Sequence, residues 1–149
     1  MQRQGDETDF DRMIADLQEQ IRQQEREIYS PQVIEEALSP HNLRRMAESD
    51  AQAVVRGWCG DTMKIYLRLN GDRIEQASFM TDGCGPTVAC GSKLTAMVCG
   101  KSLEETGAVG PEDLLNALGG LPEESIHCAE LAVNTLREAI SNGSRVEGQ

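Results

Sequence analysis

The chain has few aromatic residues and few basic ones. Among its 149 residues there are one Trp, two Tyr and two Phe, so the core must be built mainly from Leu, Ile, Val, Met and Ala. Lys and Arg number 14 against 25 Asp and Glu, which gives a net charge of −11. A protein of this sign repels phosphate backbones, and no basic stripe with interleaved aromatics offsets the repulsion. These shortages argue against nucleic-acid binding.

Long apolar runs and paired cysteines are missing as well. No apolar run approaches the length of a membrane span, and the first residues contain no apolar segment of the kind found in export signals. The five cysteines are an odd number and include no CxxC pair. A disulfide framework, a zinc ribbon and a thioredoxin motif are therefore not indicated. We expect a cytoplasmic protein with reduced thiols and no membrane association.

Residues 1–28 predict an amphipathic helix with a narrow apolar seam. Its members recur at alternating steps of four and three, with Gln24 filling one place: Phe10, Ile14, Leu17, Ile21 and Ile28. This is a heptad pattern, and the stripe is too narrow for a central core helix. The helix is expected either to pack along the flank of the following domain or to pair with another copy, which would make a homo-oligomer.

Residues 29–142 predict a single α+β domain, and residues 143–149 a flexible tail. Strands are expected at 51–56, 62–70 and 73–81, with a hairpin turn at Asn70-Gly71 joining the last two. Ile74 and Phe79 fall on opposite faces of the third strand unless a bulge intervenes. Helices are expected at 31–38, 86–98, 111–118 and 125–141. The predicted fold is a small three-stranded antiparallel sheet covered by helices.

Two cysteines lie on glycine-rich loops at the same end of this hairpin. Cys59 precedes the second strand, and Cys84 follows the third strand just before Pro86, a favourable first residue of a helix. Because the strands adjoin, their outer ends at Asp61 and Thr81 lie side by side, and Cys59 and Cys84 become neighbours. A thiol at a helix N-terminus has a lowered pKa and favours the thiolate.

The same expectation applies to Cys128, which follows His127 in the first turn of the last helix. His127 is adjacent to Cys128 in the chain, which is poor geometry for a general base acting on that thiol. Cys90 and Cys99 are out of phase on one helix, so at most one of them can face the Cys84 pocket. Cys90 is the nearer one and so a ligand candidate, but the simpler expectation for both Cys90 and Cys99 is a small core residue.

Three cysteines with an Asp or a His form a soft donor set that suits zinc or an iron–sulfur cluster. A structural zinc site is the plainer alternative of the two. A carboxylate ligand and glycine-rich loops make a looser site than four thiolates, and looseness suits a cluster that is delivered elsewhere.

The chain resembles the IscU/NifU-type scaffold proteins on which iron–sulfur clusters are assembled. The matching pieces extend in order from Tyr29 to Ile140: Tyr29-Ser30, Val33, Pro40-x-Asn42, Cys59-Gly60-Asp61, Asp82-Gly83-Cys84-Gly85, Gly100-Lys101-Ser102-Leu103, Leu121-Pro122 and His127-Cys128. The resemblance implies that Cys59, Asp61, Cys84 and Cys128 bind the cluster, with His127 and Cys90 as further candidates. The cluster would be of the 2Fe-2S or 4Fe-4S type, and zinc could take its place.

The resemblance also implies a role and partners. A cysteine desulfurase would supply sulfur as a persulfide, for which Cys128 is the candidate acceptor, and apo-proteins would receive the finished cluster. The protein would then be a scaffold and carrier, not an enzyme. The alternatives are a zinc-binding sulfur acceptor and, less favoured, an electron-transfer iron–sulfur protein. Leu121-Pro122-Glu123-Glu124-Ser125 departs from the Leu-Pro-Pro-Val-Lys stretch of many bacterial members, which puts dependence on an Hsp70-type chaperone in doubt.

Overall fold

The computed structural model describes the backbone of residues 2–147 and the side chains of residues 9–24 and 26–143. Nine helices and strands occur in this part of the chain, together with a 3₁₀ turn at Glu123–Ser125: α1 (Gln2–Ile28), α2 (Pro31–Leu38), β1 (Ala51–Arg56), β2 (Thr62–Asn70), β3 (Arg73–Thr81), α3 (Gly85–Val98), α4 (Leu103–Gly107), α5 (Pro111–Ala117) and α6 (Ile126–Glu147). None of these helices combines the length and the apolarity that a membrane span requires.

The three strands form one antiparallel sheet in the order β1-β2-β3, which confirms the predicted fold class. The register shifts between Arg68, which pairs with Gln76, and Leu69, which pairs with Ile74, so that β3 contains one extra residue. This bulge brings Ile74 onto the same buried face as Phe79. The hairpin loop is one residue later than predicted, because Asn70 pairs with Arg73 and the loop is Gly71-Asp72, with a positive φ at Gly71.

One face of the sheet packs on α3 and α6 and forms the core with them. Met63, Ile65 and Leu67 alternate along β2 and are fully buried there, as their spacing predicted. The helix α3 lies very close to β3 because Gly91 has no side chain. A Cβ at Gly91 would lie 2.4 Å from Cδ2 of Phe79. This contact sets the height of α3 above the sheet, and with it the position of the loop that carries Cys84.

The last helix is longer than predicted. Its expected end was Ser141, but α6 continues to Glu147, through residues that the sequence assigned to a flexible tail. Gly143, which resembles a helix stop in the sequence, instead permits close packing, since a Cβ there would lie 3.0 Å from Cβ of Ala51. Asn142 adds a hydrogen bond from Nδ2 to the carbonyl oxygen of Gln52 at 2.8 Å. Residues 148 and 149 lie outside the described part.

The first helix extends along a path of its own. It begins at Gln2 and ends at Ile28, and its few contacts with the domain are made mainly to α2. The apolar seam is left largely uncovered: Phe10, Leu17, Ile21 and Ile28 are between 49% and 59% exposed. Of the two predicted arrangements, packing of the seam along the domain's flank is therefore wrong for this structure.

Candidate functional site

The two glycine-rich cysteine loops meet at one end of the sheet, as the hairpin predicted. The backbone N–H of Thr62 donates to Oδ1 of Asp82 at 2.7 Å, and the N–H of Asp82 donates to the carbonyl oxygen of Thr62 at 3.3 Å. The Cys59 loop closes on itself, because the N–H of Gly57 donates to the carbonyl oxygen of Asp61 at 2.7 Å. Gly60 makes this turn with a φ of 100°, a conformation that favours glycine.

Cys59 and Cys84 are both free and exposed. Cys84 is the N-cap residue of α3, and its carbonyl oxygen accepts the first helical hydrogen bond, from the N–H of Val88 at 3.0 Å. Pro86 occupies the first turn, as expected. Cys84 is therefore placed at the N-terminal end of a helix, where the peptide dipoles point their positive ends.

Cys128 differs from the other two because it is buried. It lies in the first turn of α6, as predicted, but only 4% of it is exposed. Burial raises the pKa of its thiol, and the neighbouring Cys59, Asp61 and Cys84 raise it further, although a hydrogen bond from Thr87 acts in the opposite direction. The expectation that the helix N-terminus would lower this pKa is wrong, since loss of solvation outweighs the helix dipole at a buried sulfur.

Thr87 is a member of the site that sequence reasoning missed. Its hydroxyl is fully buried, 3.1 Å from Oδ2 of Asp61 and 3.3 Å from Sγ of Cys128, so it bridges two candidate ligands. The hydroxyl has a single proton: it can donate to one partner at a time, or donate to the carboxylate while it accepts from the thiol. Gly83 makes room for Thr87, since a Cβ at Gly83 would lie 2.7 Å from Cβ of Thr87.

His127 and Trp58 form the rim of the site beside Cys128. Nε2 of His127 lies 3.7 Å from Sγ of Cys128, a distance within the range of weak contacts with sulfur. The ring of His127 also lies against the indole of Trp58, with centroids 5.1 Å apart and planes inclined by 58°. Trp58, the chain's one tryptophan, is 83% exposed. An exposed aromatic ring next to the cysteine loops is a feature that composition alone could not locate.

The two remaining cysteines have separated environments, as their spacing required. Cys90 is fully buried in the core, and its burial together with the nearby Cys128 raises the pKa of its thiol. Cys99 is the C-cap residue of α3 and is exposed, so its assignment as a small core residue is wrong. The helix ends just before Cys99, and the chain turns away from the core through Gly100, whose φ is 86°.

The candidate ligands lie near one another without forming a closed set. Cys128 interacts electrostatically with Cys59, Asp61 and Cys84, which places all four at the same end of the sheet. Among the side chains that the structure describes, however, no three His, Cys, Asp or Glu residues meet in a group that could hold a metal ion. Cys59 and Cys84 stand on exposed loops, and Cys128 stands on a packed helix. The assignment of Cys59, Asp61, Cys84 and Cys128 as ligands remains a prediction.

Fold and site together define a class: a small α+β domain that presents free thiols, a carboxylate and an imidazole from separate loops and helix ends. Comparison with known proteins identifies the family. The model of the NifU-like N terminal domain matches residues 28–147, and the chain belongs to this family. The matched region begins where α1 ends, so the exposed heptad helix lies outside it.

Individual relatives agree with this assignment. The chain is 36% identical over 123 residues to the iron-sulfur cluster assembly scaffold protein IscU 1 of Archaeoglobus fulgidus, a match that covers 82% of this chain and 80% of the relative. It is also 36% identical over 119 residues to the scaffold protein IscU of Escherichia coli, covering 76% and 92% of the two chains. The crystal structure of a NifU-like protein (N-terminal) from Brucella abortus has the same fold, with a TM-score of 0.67 at 19% identity, covering 79% of this chain and 95% of that one.

Proposed function

We propose that this protein is a scaffold on which an iron–sulfur cluster is assembled and from which it is passed to apo-proteins. The observation that supports this most directly is the placement of three free cysteines and Asp61 on separate elements at one end of the sheet. Thiolates are the ligands that iron–sulfur clusters use, and the two exposed loops can adjust to a bound cargo. The relatives from Archaeoglobus fulgidus and Escherichia coli are named for the same role.

The ligand set that we propose is Cys59, Asp61, Cys84 and Cys128, with His127 close enough to Cys128 to take part. Asp61 is the distinctive member, because an oxygen ligand binds iron among thiolates less tightly than a fourth sulfur would. The hydrogen bond between Asp61 and Thr87 competes for the same carboxylate oxygen. A cluster held in this way is easier to release than one held by four thiolates, which suits a carrier and not a turnover enzyme.

Sulfur would be supplied by a cysteine desulfurase as a persulfide on Cys128. The burial of Cys128 sets a condition for this step, since the donor sulfur can reach it only when the surrounding loops move aside. Cys59 and Cys84 are already exposed and are the competing acceptors. Mass spectrometry of the protein after reaction with a desulfurase and free cysteine would locate the added sulfur. Sulfur on Cys59 or Cys84, with none on Cys128, would contradict the assignment.

The working compartment that we propose is the cytoplasm, where thiols remain reduced, because all five cysteines are free. The stretch from Leu121 to Ser125 supports independence from an Hsp70-type chaperone. It has two exposed glutamates, Glu123 and Glu124, where the Leu-Pro-Pro-Val-Lys stretch has Pro and Val, and it has Ser125 in place of the Lys. Binding measured with a purified Hsp70-type chaperone tests this, and tight binding through this stretch would contradict it.

A zinc-binding sulfur acceptor is the second candidate, because the same thiols suit zinc equally well. Purification without oxygen, followed by metal analysis and reconstitution with iron and sulfide, separates the two functions. A scaffold is expected to acquire visible absorption of a 2Fe-2S or 4Fe-4S cluster and to lose it to apo-ferredoxin. Tightly bound zinc with no cluster would favour the sulfur acceptor. A cluster that cannot be transferred under any reducing condition would favour an electron-transfer protein.

A further inference from the structure

We infer that the exposed seam of α1 is the interface of a parallel two-stranded coiled coil between two copies of this chain. The seam consists of Phe10, Ile14, Leu17, Ile21, Gln24 and Ile28, and four of its apolar members are about half exposed. The helix makes few contacts with its own domain. An apolar stripe of this kind on a helix with little tertiary packing requires a partner, because such a helix is marginally stable in water by itself.

The residues of the seam favour two parallel strands. In heptad notation the a positions are Ile14, Ile21 and Ile28, and the d positions are Phe10, Leu17 and Gln24. β-Branched side chains at a combined with Leu at d are the combination that selects parallel dimers. Gln24, also at d, is a polar residue in the seam, and in an aligned pair it meets Gln24 of the other copy. The seam is thus complementary to itself.

The charges that flank the seam favour the parallel over the antiparallel arrangement. The e positions are Asp11, Gln18 and Glu25, and the g positions are Met13, Gln20 and Glu27. A parallel pair sets Met13 against Gln18 and Gln20 against Glu25, so no pair of like charges is created. An antiparallel pair sets e against e and places Asp11 opposite Glu25, two negative charges. Parallel pairing is therefore the arrangement that the charges favour.

Two arginines of α1 form ion pairs on its outer surface. Arg22 contacts Glu19 at 3.0 Å and Arg26 contacts Glu19 at 3.7 Å, at b and f positions that point away from the seam. Next to the seam, Ile21 shares a groove with Ile34 and Leu38 of α2, and Leu38 is 76% exposed. Gln18, Arg22 and Arg26 line the same groove, so the apolar surface extends from α1 to α2 along a polar wall.

The available area suits a reversible dimer. Each half-exposed seam side chain offers roughly 80 Å², so the four of them on two copies supply about 640 Å² of apolar surface. The flanking stems and the groove at Leu38 bring the total towards the ~1,200 Å² at which specific interfaces begin. We therefore expect dimers that dissociate on dilution.

Sedimentation velocity of the full chain over a concentration series tests this inference. The expected mass is twice the 16.3 kDa of one chain, falling towards one on dilution. Leu17→Glu with Ile21→Glu is expected to raise the dissociation constant roughly 100-fold or more, since two charges would have to be buried in the seam. Ala15→Glu with Gln23→Glu adds the same charge at outer b and c positions and should leave the dimer intact.

A second pair of variants tests the parallel register. Gln20→Lys should lower the dissociation constant roughly threefold, because it creates two ion pairs with Glu25 of the other copy, and Gln20→Glu should raise it by a similar factor. Equal effects of Lys and Glu would rule out the parallel register. A wild-type monomer at every concentration, a dimer that survives the seam variant, or a mass of three chains would overturn the inference. The wild-type mass distinguishes dimer from monomer even if the seam variant is poorly soluble.

Discussion

Replacing Thr87 with Val should change the chemistry of Cys128 much more than it changes the stability of the fold. Val has nearly the same shape, so the packing beneath Gly83 is preserved and only the hydroxyl is lost. The hydroxyl lies 3.1 Å from Asp61 and 3.3 Å from Cys128. Water can replace it at Asp61, which is partly exposed, so the free energy of unfolding should fall by only about 1 kcal/mol. Urea unfolding of the apo-protein measures this change.

The effect on Cys128 is larger because its sulfur is buried, where water does not readily replace a lost donor. The hydrogen bond from Thr87 lowers the pKa of Cys128, while burial and the adjacent acidic groups raise it. Removing this hydrogen bond therefore raises the pKa of Cys128 further, and if the bond is worth roughly 1.4 kcal/mol to the thiolate, alkylation of Cys128 at neutral pH should slow about tenfold. Peptide mapping after timed alkylation reports this rate for each cysteine separately.

Thr87→Ser is the matched control, since it keeps the hydroxyl and removes one methyl group. Its alkylation rate at Cys128 should stay near that of the wild type, even though a small cavity lowers its stability. Gly83→Ala is an independent way to remove the hydroxyl from Cys128. The added Cβ would lie only 2.7 Å from Cβ of Thr87, which is too close, so Thr87 would have to move. If Ser and Val slow the alkylation equally, the hydroxyl is not responsible and the reasoning fails.

Three further outcomes follow from the site. Asp61→Ala should lengthen the lifetime of a reconstituted cluster and slow its transfer to apo-ferredoxin, and unchanged values of both would remove Asp61 from the mechanism. Ser in place of Cys59, Cys84 or Cys128 should abolish stable cluster binding, whereas Cys99→Ser, at an exposed helix end, should leave it intact, as absorption spectra would show. The apo-protein should lose stability as the pH rises above 9.0, because burial raises the pKa of Cys90 and Cys128 in the folded state, and the unfolded chain then releases these protons first. Cys90→Ala should weaken this pH dependence in urea titrations, and an unaltered pH dependence would contradict the prediction.

The sheet and its helices were predictable because the signals that specify them are local. The alternation in β2 marks a strand with one buried face, and Pro86 after Cys84 marks the start of α3. The hairpin then requires both cysteine loops to lie at one end. In β3 the spacing of Ile74 and Phe79 puts them on opposite faces of a regular strand. Because both are apolar and must reach the core, the sequence also indicated the bulge.

What could not be predicted depends on contacts between distant parts of the chain. His41 lies on a loop with an exposed side chain, but the sequence does not reveal its contacts: its backbone N–H donates to Oγ of Ser92 at 2.7 Å, and its Nδ1 lies 3.2 Å from Oε1 of the buried Glu36. The short helix α4 escaped prediction although Ser102 and Glu105 form a capping box in front of it. The packing role of Gly143 could not be recognised from the sequence either, because Ala51, the residue that it packs against, is almost the whole domain away along the chain.

The burial of Cys128 is the largest difference between the sequence-based expectation and the structure, because it sets this cysteine apart from Cys59 and Cys84. The sequence presents them as equivalent residues at helix ends or on loops. In the structure, Cys128 is fixed by the packing of α6 and bonded to Thr87, while Cys59 and Cys84 stand on exposed loops whose glycines permit movement. Reorganising a packed helix costs more free energy than reorganising a solvated loop. Any ligand that draws the three sulfurs together will therefore do so by moving Cys59 and Cys84 towards Cys128, and the reverse movement is the easier path by which it leaves.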